Sequence, residues 1–163
     1  MNFTHEIFPE DAGRELRAHE LTISCAESCT GGLLTSALTD VPGSSRYVIG
    51  SVVSYSNDVK VHILHVSEET LSLYGAVSEE TAREMAEGVR DLMQTDIGVG
   101  ITGIAGPDGG SEEKPVGLVY IAVADQVRTL VQKNLFFGTR VENKRAAVGK
   151  ALAMIYDGIR SSL

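Results

Sequence analysis

Three stretches of the chain carry side chains capable of acid, base or nucleophilic chemistry, two of them together with glycines. In "AESCTGG", residues 26–32, Glu27, Ser28, Cys29 and Thr30 run into the pair Gly31-Gly32. At a helix start this could aim backbone N–H groups at an anion, with Ser28 and Thr30 adding hydroxyls and the glycines allowing close approach. In the alternative reading Ser28 or Thr30 does no more than cap the helix, and Glu27 either closes that cap or orients a base. In "YSNDVK", Tyr55, Asn57 and Lys60 surround a strand-to-helix junction. A lysine serves as a base only if burial or a nearby cation lowers its pKa, and one three residues into a surface helix is ordinarily solvated. The third stretch, "TGIAGPDGGSEEKPVG" from Thr102 to Gly117, is long for a connection. Such loops in compact domains are usually functional or mobile. It has neither P-loop nor dinucleotide-fingerprint spacing.

Other chemistries find less support. His62 and His65 could share a helix face, but no third ligand is spaced to complete a metal site. No G-x-S-x-G element supports a Ser-His-Asp triad. Cys25 and Cys29 follow a C-x-x-x-C spacing that fits neither a redox pair nor half of a zinc site, so two buried free thiols are expected.

The elements that must hold these stretches can be read from periodicity and punctuation. Residues 9–19 follow a proline-initiated, acid-first pattern that suits a short surface helix, and "LTISCA" reads as a buried strand. "LLTSALTDV" has helical spacing and stops at "PGSS". "YVIGSVVSYS" is a strand by its β-branched and aromatic content; if it runs far enough, Val53, Tyr55 and Asn57 share one face. "NDVKVHILHV" is a helix capped at Ser56 or Asn57, and "SEETLSLYG" and "SEETAREMAEGVRDLMQ" each start with a capping serine followed by acids. "DIGVGITG" is a strand entering the long loop, "PVGLVYIAVAD" and "RTLVQKNLFFG" form a strand pair about a tight "DQV" turn, and "RVENKRAAVGKALAMIYDGIR" is the closing helix. Near-continuous apolar strands alternating with helices predict one domain over residues 1–163. Its class is α/β, a three-layer α/β/α sandwich with a mixed, mostly parallel sheet. In open α/β sheets, ligands tend to bind outside the carboxyl ends of the strands, which is where the two glycine-rich turns, "ESCTGG" and "TGIAGPDGG", fall.

Composition narrows the class of partner. With 163 residues, 43% hydrophobic and 22% charged, the chain is ordinary for a soluble domain with a core. No run approaches the ~20 apolar residues of a membrane helix, and the N-terminus lacks a basic, then apolar, secretion signal. A cytoplasmic protein with no membrane partner is expected. Fourteen basic against 22 acidic residues, formal charge -8, with no basic stripe, argue against a nucleic-acid partner.

"AESCTGG", "GSVVSYSNDVK", "YGAVSEETA" and "TGIAGPDGGSEEKPVGLVY", in this order and spacing, resemble the CinA C-terminal domain family, whose enzyme members are the PncC-type nicotinamide-nucleotide amidases. The likeness runs from about residue 9 to the last helix. It implies a three-layer α/β/α fold and hydrolysis of the carboxamide of nicotinamide mononucleotide to nicotinate mononucleotide and ammonia, a step of pyridine nucleotide recycling. It carries the family's Ser, Tyr and Lys onto Ser28, Tyr55 and Lys60, with no cofactor and no metal. Ser28 would attack the amide carbon while Lys60 with Tyr55 relays the proton, and N–H groups near Thr30, Gly31 and Gly32 would hold the oxyanion. The phosphate would be taken by the loop carrying Gly103 and Gly106 together with Arg140 or Arg145, and Asn57 and Thr102 would bind carboxamide or ribose. A metal-dependent pyrophosphatase domain precedes this one in full-length family members; the chain has no room for it, so the amidase alone is expected. Two other readings stay open: Cys29 as the nucleophile, and a non-catalytic nucleotide-binding module associated with competence or DNA damage. Apolar character in "YVIGSVVSYS" and the last helix makes a homodimer the expected assembly.

Overall fold

The computed structural model describes residues 5–161; the outer positions of the expected 1–163 unit lie outside the described residues. Its order is α1 (Pro9–Ala18), β1 (Ile23–Glu27), α2 (Leu33–Thr39), a 3-10 turn (Ser44–Arg46), β2 (Val48–Val53), α3 (Asn57–His62), α4 (Glu68–Tyr74), α5 (Glu79–Met93), β3 (Ile97–Gly103), β4 (Leu118–Ala124), β5 (Thr129–Leu135) and α6 (Arg140–Ser161). The strands form one sheet in the order β2-β1-β3-β4-β5. β1 pairs in parallel with β2 and β3, and β4 pairs antiparallel with β3 and β5, so only β4 runs against the other four.

Every residue of β1 is buried, as a central strand covered on both faces requires. Ile23 and Cys25 face the larger core, built with Leu16, Leu34, Leu38, Val99, Ile101, Leu152 and Ile155 from α1, α2, β3 and α6. The alternate residues Ser24 and Ala26 face α5: Ser24 Oγ donates to the Val89 carbonyl, and Ala26 packs with Met85 and Val89. The helices therefore form two layers about the sheet. α5 sits unusually close to it, because a Cβ on Gly98 or Gly100 would lie 2.1 Å from the Ala86 carbonyl or 2.5 Å from that of Ala82.

Ser67 and Ser78 cap α4 and α5 as expected, each side chain accepting from backbone N–H groups of the first turn. Three readings of the sequence need correction. β2 ends at Val53, so Tyr55 and Asn57 do not share a strand face with it; Ser56 caps α3 and Asn57 opens that helix. The helix continuing into "ILHV" stops at His62, and His65 has a left-handed φ of 60°. Neither Ser28 nor Thr30 caps α2: Gly32 occupies the cap with φ 104° and no side-chain bond.

The register decides where chemistry can sit. Glu27, Val53 and Ile101 pair across the three parallel strands, so Ser28, Ser54 and Thr102 follow them at one level. Two further bonds, Ser54 N–H to the Glu27 carbonyl and Ser28 N–H to that of Ile101, carry the ladder one residue past the pairing. Ser28 is thereby fixed on the carboxyl edge of the central strand.

Candidate active site

Glu27 is completely buried yet carries a carboxylate, which its position explains. It points to the α2 side of β1, where Oε1 accepts from Thr30 Oγ1 at 2.7 Å and Leu34 N–H at 2.8 Å, and Oε2 from Thr35 N–H at 2.9 Å and Thr35 Oγ1 at 2.6 Å. The carboxylate does the capping that no cap-residue side chain does, and it binds α2 rather than Lys60. Thr30 is consumed in this bond, and the Gly31 N–H donates to the Ser28 carbonyl. Replacing Glu27 with alanine should remove the buried carboxylate, leave the four donors around it without their acceptor and cost about 3 kcal/mol or more, a fall of roughly 6–12 °C in Tm by calorimetry. A shift under about 2 °C would show that α2 holds its place without this carboxylate.

Lys60 enters from the opposite wall. Ser56 starts α3 one residue before Asn57, so Lys60 completes the first turn facing inward, 1% exposed despite its charge. Its Nζ lies 3.0 Å from Ser28 Oγ and 2.7 Å from the Ser54 carbonyl oxygen. Burial, opposed in part by the neighbouring Cys29, holds its pKa below the ordinary lysine value. Nζ donates to both oxygens; once it has released its proton, the amine would keep a donor on the Ser54 carbonyl and turn its lone pair to the Ser28 hydroxyl, the arrangement of an activated nucleophile. The solvated surface lysine of the alternative reading is not what the fold builds. Cys29, beside Ser28, is a buried thiol pushed up to about 11, chiefly by burial; Cys25 is also buried and raised.

Ser28 and Lys60 open into a cavity of about 280 Å³. Tyr55, Asn57, Thr102, Gly103, Gly106 and Arg140 line it with them, so these expected site residues are brought together. Thr30, Gly31, Gly32 and Arg145 do not line it. Tyr55 is placed differently from the expected relay: 62% exposed at the mouth, its hydroxyl accepts from Arg140 Nη2 at 3.2 Å, and no hydrogen bond joins it to Lys60. Arg140 Nη1 also donates to the Gly106 carbonyl at 2.7 Å, fastening the long loop to the start of α6. Thr102 donates its hydroxyl to the Ala76 carbonyl at 2.7 Å, which draws Ala76 and Val77 in as a further wall.

Sequence reasoning missed several contributors. Ser54 acts through its carbonyl, which no side-chain pattern displays. Ala76 and Val77 lie in the turn between two capped helices; that turn was visible, its position over the site was not. Asn143 is 1% exposed, donates to the Ala105 carbonyl at 3.0 Å and accepts from Gly138 N–H at 2.9 Å, so it clamps the long loop from within α6. An asparagine three residues after Arg140 was the only signal for it in the sequence. Asp108 also lines the cavity.

A mostly apolar cleft of about 260 Å³ lies at the opposite end of the sheet, lined by Leu21, Ile97, Val123 and Ile159 among others. It holds no paired nucleophile and base, so the candidate chemistry lies in the more polar Ser28 cavity. Among the described residues no group of three His, Cys, Asp or Glu is placed to hold a metal ion, and no helix is long and apolar enough to cross a membrane.

Comparison with known proteins gives a consistent result. The family model of the CinA C-terminal domain matches residues 6–159. A CinA-like protein of Endomicrobium trichonymphae is 50% identical over 153 residues, which is 94% of this chain and 36% of that protein. The chain thus spans about a third of the length of the curated relatives it matches. Among solved structures, the competence/damage inducible protein CihA from Agrobacterium tumefaciens is 40% identical with TM-score 0.86, covering 96% of this chain and 99% of that one. A competence-damaged protein (CinA) superfamily protein from Klebsiella pneumoniae is 33% identical with TM-score 0.91, covering 94% and 96%.

Proposed function

The chain belongs to the CinA C-terminal domain family, and from that premise we propose that it is an amidohydrolase converting nicotinamide mononucleotide to nicotinate mononucleotide and ammonia. The observation that carries the reading is the buried lysine amine 3.0 Å from a serine hydroxyl on the floor of a polar cavity. The Ser28 oxygen bonds to the carboxamide carbon as its proton passes to Lys60 Nζ. The C–N bond then breaks with that proton delivered to the leaving nitrogen, giving ammonia and an acyl-serine. Water attacks the ester, its proton goes to Lys60 and on to Ser28 Oγ, and the acid departs. Metal is not needed for any of these transfers.

The geometry supports a modified set of roles. With its hydroxyl held by Arg140, Tyr55 offers its ring at the mouth to a cationic pyridinium, which aromatic faces attract. Arg140, at the N-terminal end of the 22-residue α6, is the cation best placed for a phosphate, since the helix dipole adds to its charge. Cytoplasmic location and a homodimer complete the proposal; exposed Ile49 and Val53 on edge strand β2 suit a second copy.

Ammonia release tests it. The mononucleotide should be turned over on the order of a hundredfold better in kcat/KM than nicotinamide riboside, and nicotinamide should be worse still, because the cationic end of the cavity is left unpaired without the phosphate. Absence of ammonia from every pyridine carboxamide at high enzyme concentration, with the mononucleotide still bound, would replace this reading with the nucleotide-binding module.

A further inference from the structure

The long loop, residues 104–117, folds into a block. Ile104 N–H donates to the Leu118 carbonyl and Gly117 N–H to that of Ile104, closing its base. Val116 fills its inside, since a Cβ on Gly106 would lie 2.4 Å from Val116 Cγ1 and one on Gly110 2.6 Å from the Val116 nitrogen. The block is fastened to α6 by Arg140 at Gly106 and by Asn143 at Ala105. Both anchors lie on the same side. The cavity, however, opens between this block, residues 103–109, and the segment Ala76–Val77 on the other side.

Across that gap Thr102, at the foot of the loop, holds the Ala76 carbonyl, and from the body of the block, among the described residues, one side-chain hydrogen bond reaches the α4–α5 junction: Lys114 Nζ donates to the Tyr74 carbonyl. Tyr74 is the last residue of α4, where backbone carbonyls are unpaired and a cation is favoured. Gly75 follows with φ 82°, and a Cβ there would come within 3.0 Å of Lys114 Nζ, so the absence of a side chain leaves room for the ammonium. Thr81 Oγ1 and Ser78 Oγ both donate to the Gly75 carbonyl, making the receiving turn rigid.

We infer that Lys114 is a latch: with the foot of the loop held by Thr102 at Ala76, its bond to Tyr74 holds the far part of the block and so sets the width of the Ser28 cavity there, making it a positioning residue for the substrate. Its kinetic consequence rests on the amidase reading; its structural consequence does not. Substrate that must fit between two walls loses binding when one wall swings free, while the Ser28–Lys60 pair, held by the sheet and α3, keeps its geometry.

The test compares Lys114→Met and Lys114→Arg with wild type in two measurements. Hydrogen exchange without substrate should show the amides of residues 104–117 exchanging about tenfold faster in Lys114→Met, as expected for loss of one charge-assisted bond, and near wild type in Lys114→Arg. Ammonia release from nicotinamide mononucleotide should show KM raised about tenfold with kcat within threefold in Lys114→Met, and restored by Arg. Unchanged exchange in Lys114→Met overturns the latch, as does a kcat loss without a KM change or equal loss in the Arg variant. If the wild type releases no ammonia, the amidase reading falls alone and the exchange comparison decides the latch.

Discussion

Ser28→Ala should lower ammonia release from nicotinamide mononucleotide by a factor on the order of a thousand or more while leaving the nucleotide bound and the fold intact. Backbone bonds fix this position, through the Ser28 N–H on the Ile101 carbonyl and the ladder of β1 beneath it, so losing the hydroxyl does not move the turn. Lys60 keeps its bond to the Ser54 carbonyl, and Glu27 keeps all four donors on the other face of the turn. The loss is therefore chemical, and it should appear in kcat with little change in mononucleotide affinity by calorimetry. A rate within tenfold of wild type would end the serine mechanism.

The same assay on Cys29→Ala separates the two neighbouring nucleophile candidates. A cysteine attacks as thiolate, and burial has pushed this thiol to about 11, leaving almost none ionised at neutral pH. A helix start could stabilise a thiolate, but Glu27 lies close enough to oppose it and α2 is already capped by that carboxylate. Cys29→Ala is expected to turn over within a few-fold of wild type. Reversal of the two phenotypes would make Cys29 the nucleophile.

The elements were legible wherever one periodicity dominated: buried β1, serine-capped α4 and α5, and the β4–β5 pair all follow from local pattern. So was the rule that the site lies at the carboxyl ends of the strands, because it follows from parallel pairing alone. What was not legible depends on register and side-chain direction. Nothing in "YSNDVK" shows that Lys60 turns inward; that results from β2 stopping at Val53 and Ser56 starting α3 at once, which rotates the fourth helical residue beneath Ser28. Glu27 looked equally able to serve Lys60 or α2, and strand alternation decided it by placing Glu27 on the face of Ile23 and Cys25. Arg140 and Arg145 looked equivalent on the last helix, yet five residues is well over one turn, and only Arg140 faces Tyr55 and the loop. Tyr55 was joined to Lys60 as a relay by the family resemblance, while the fold gives its hydroxyl to an arginine 85 residues away.

Lys60 should govern both activity and the pH dependence of stability, and both favour the neutral amine. As a base it must be neutral, so kcat/KM should rise with pH through its lowered pKa and level off above it. Lys60→Arg, which cannot lose its proton, should be as inactive as Lys60→Met, each down by about a thousandfold or more. For stability, the unfolded chain keeps this lysine protonated up to the ordinary value near 10.5, whereas the folded chain releases the proton at lower pH. Between the two values the unfolded state binds more protons, so wild-type stability rises with pH across that window and is reduced below it. Lys60→Met has no such titration. Losing the bonds to Ser54 and Ser28 shifts its stability by an amount that does not depend on pH, so the slope isolates the amine. Denaturant unfolding at several pH values should show the Met variant gaining on wild type as pH falls and giving way as pH approaches the lysine value. A difference flat with pH would mean that the amine keeps its ordinary proton inside the fold, and a serine beside a permanent ammonium has no base to activate it.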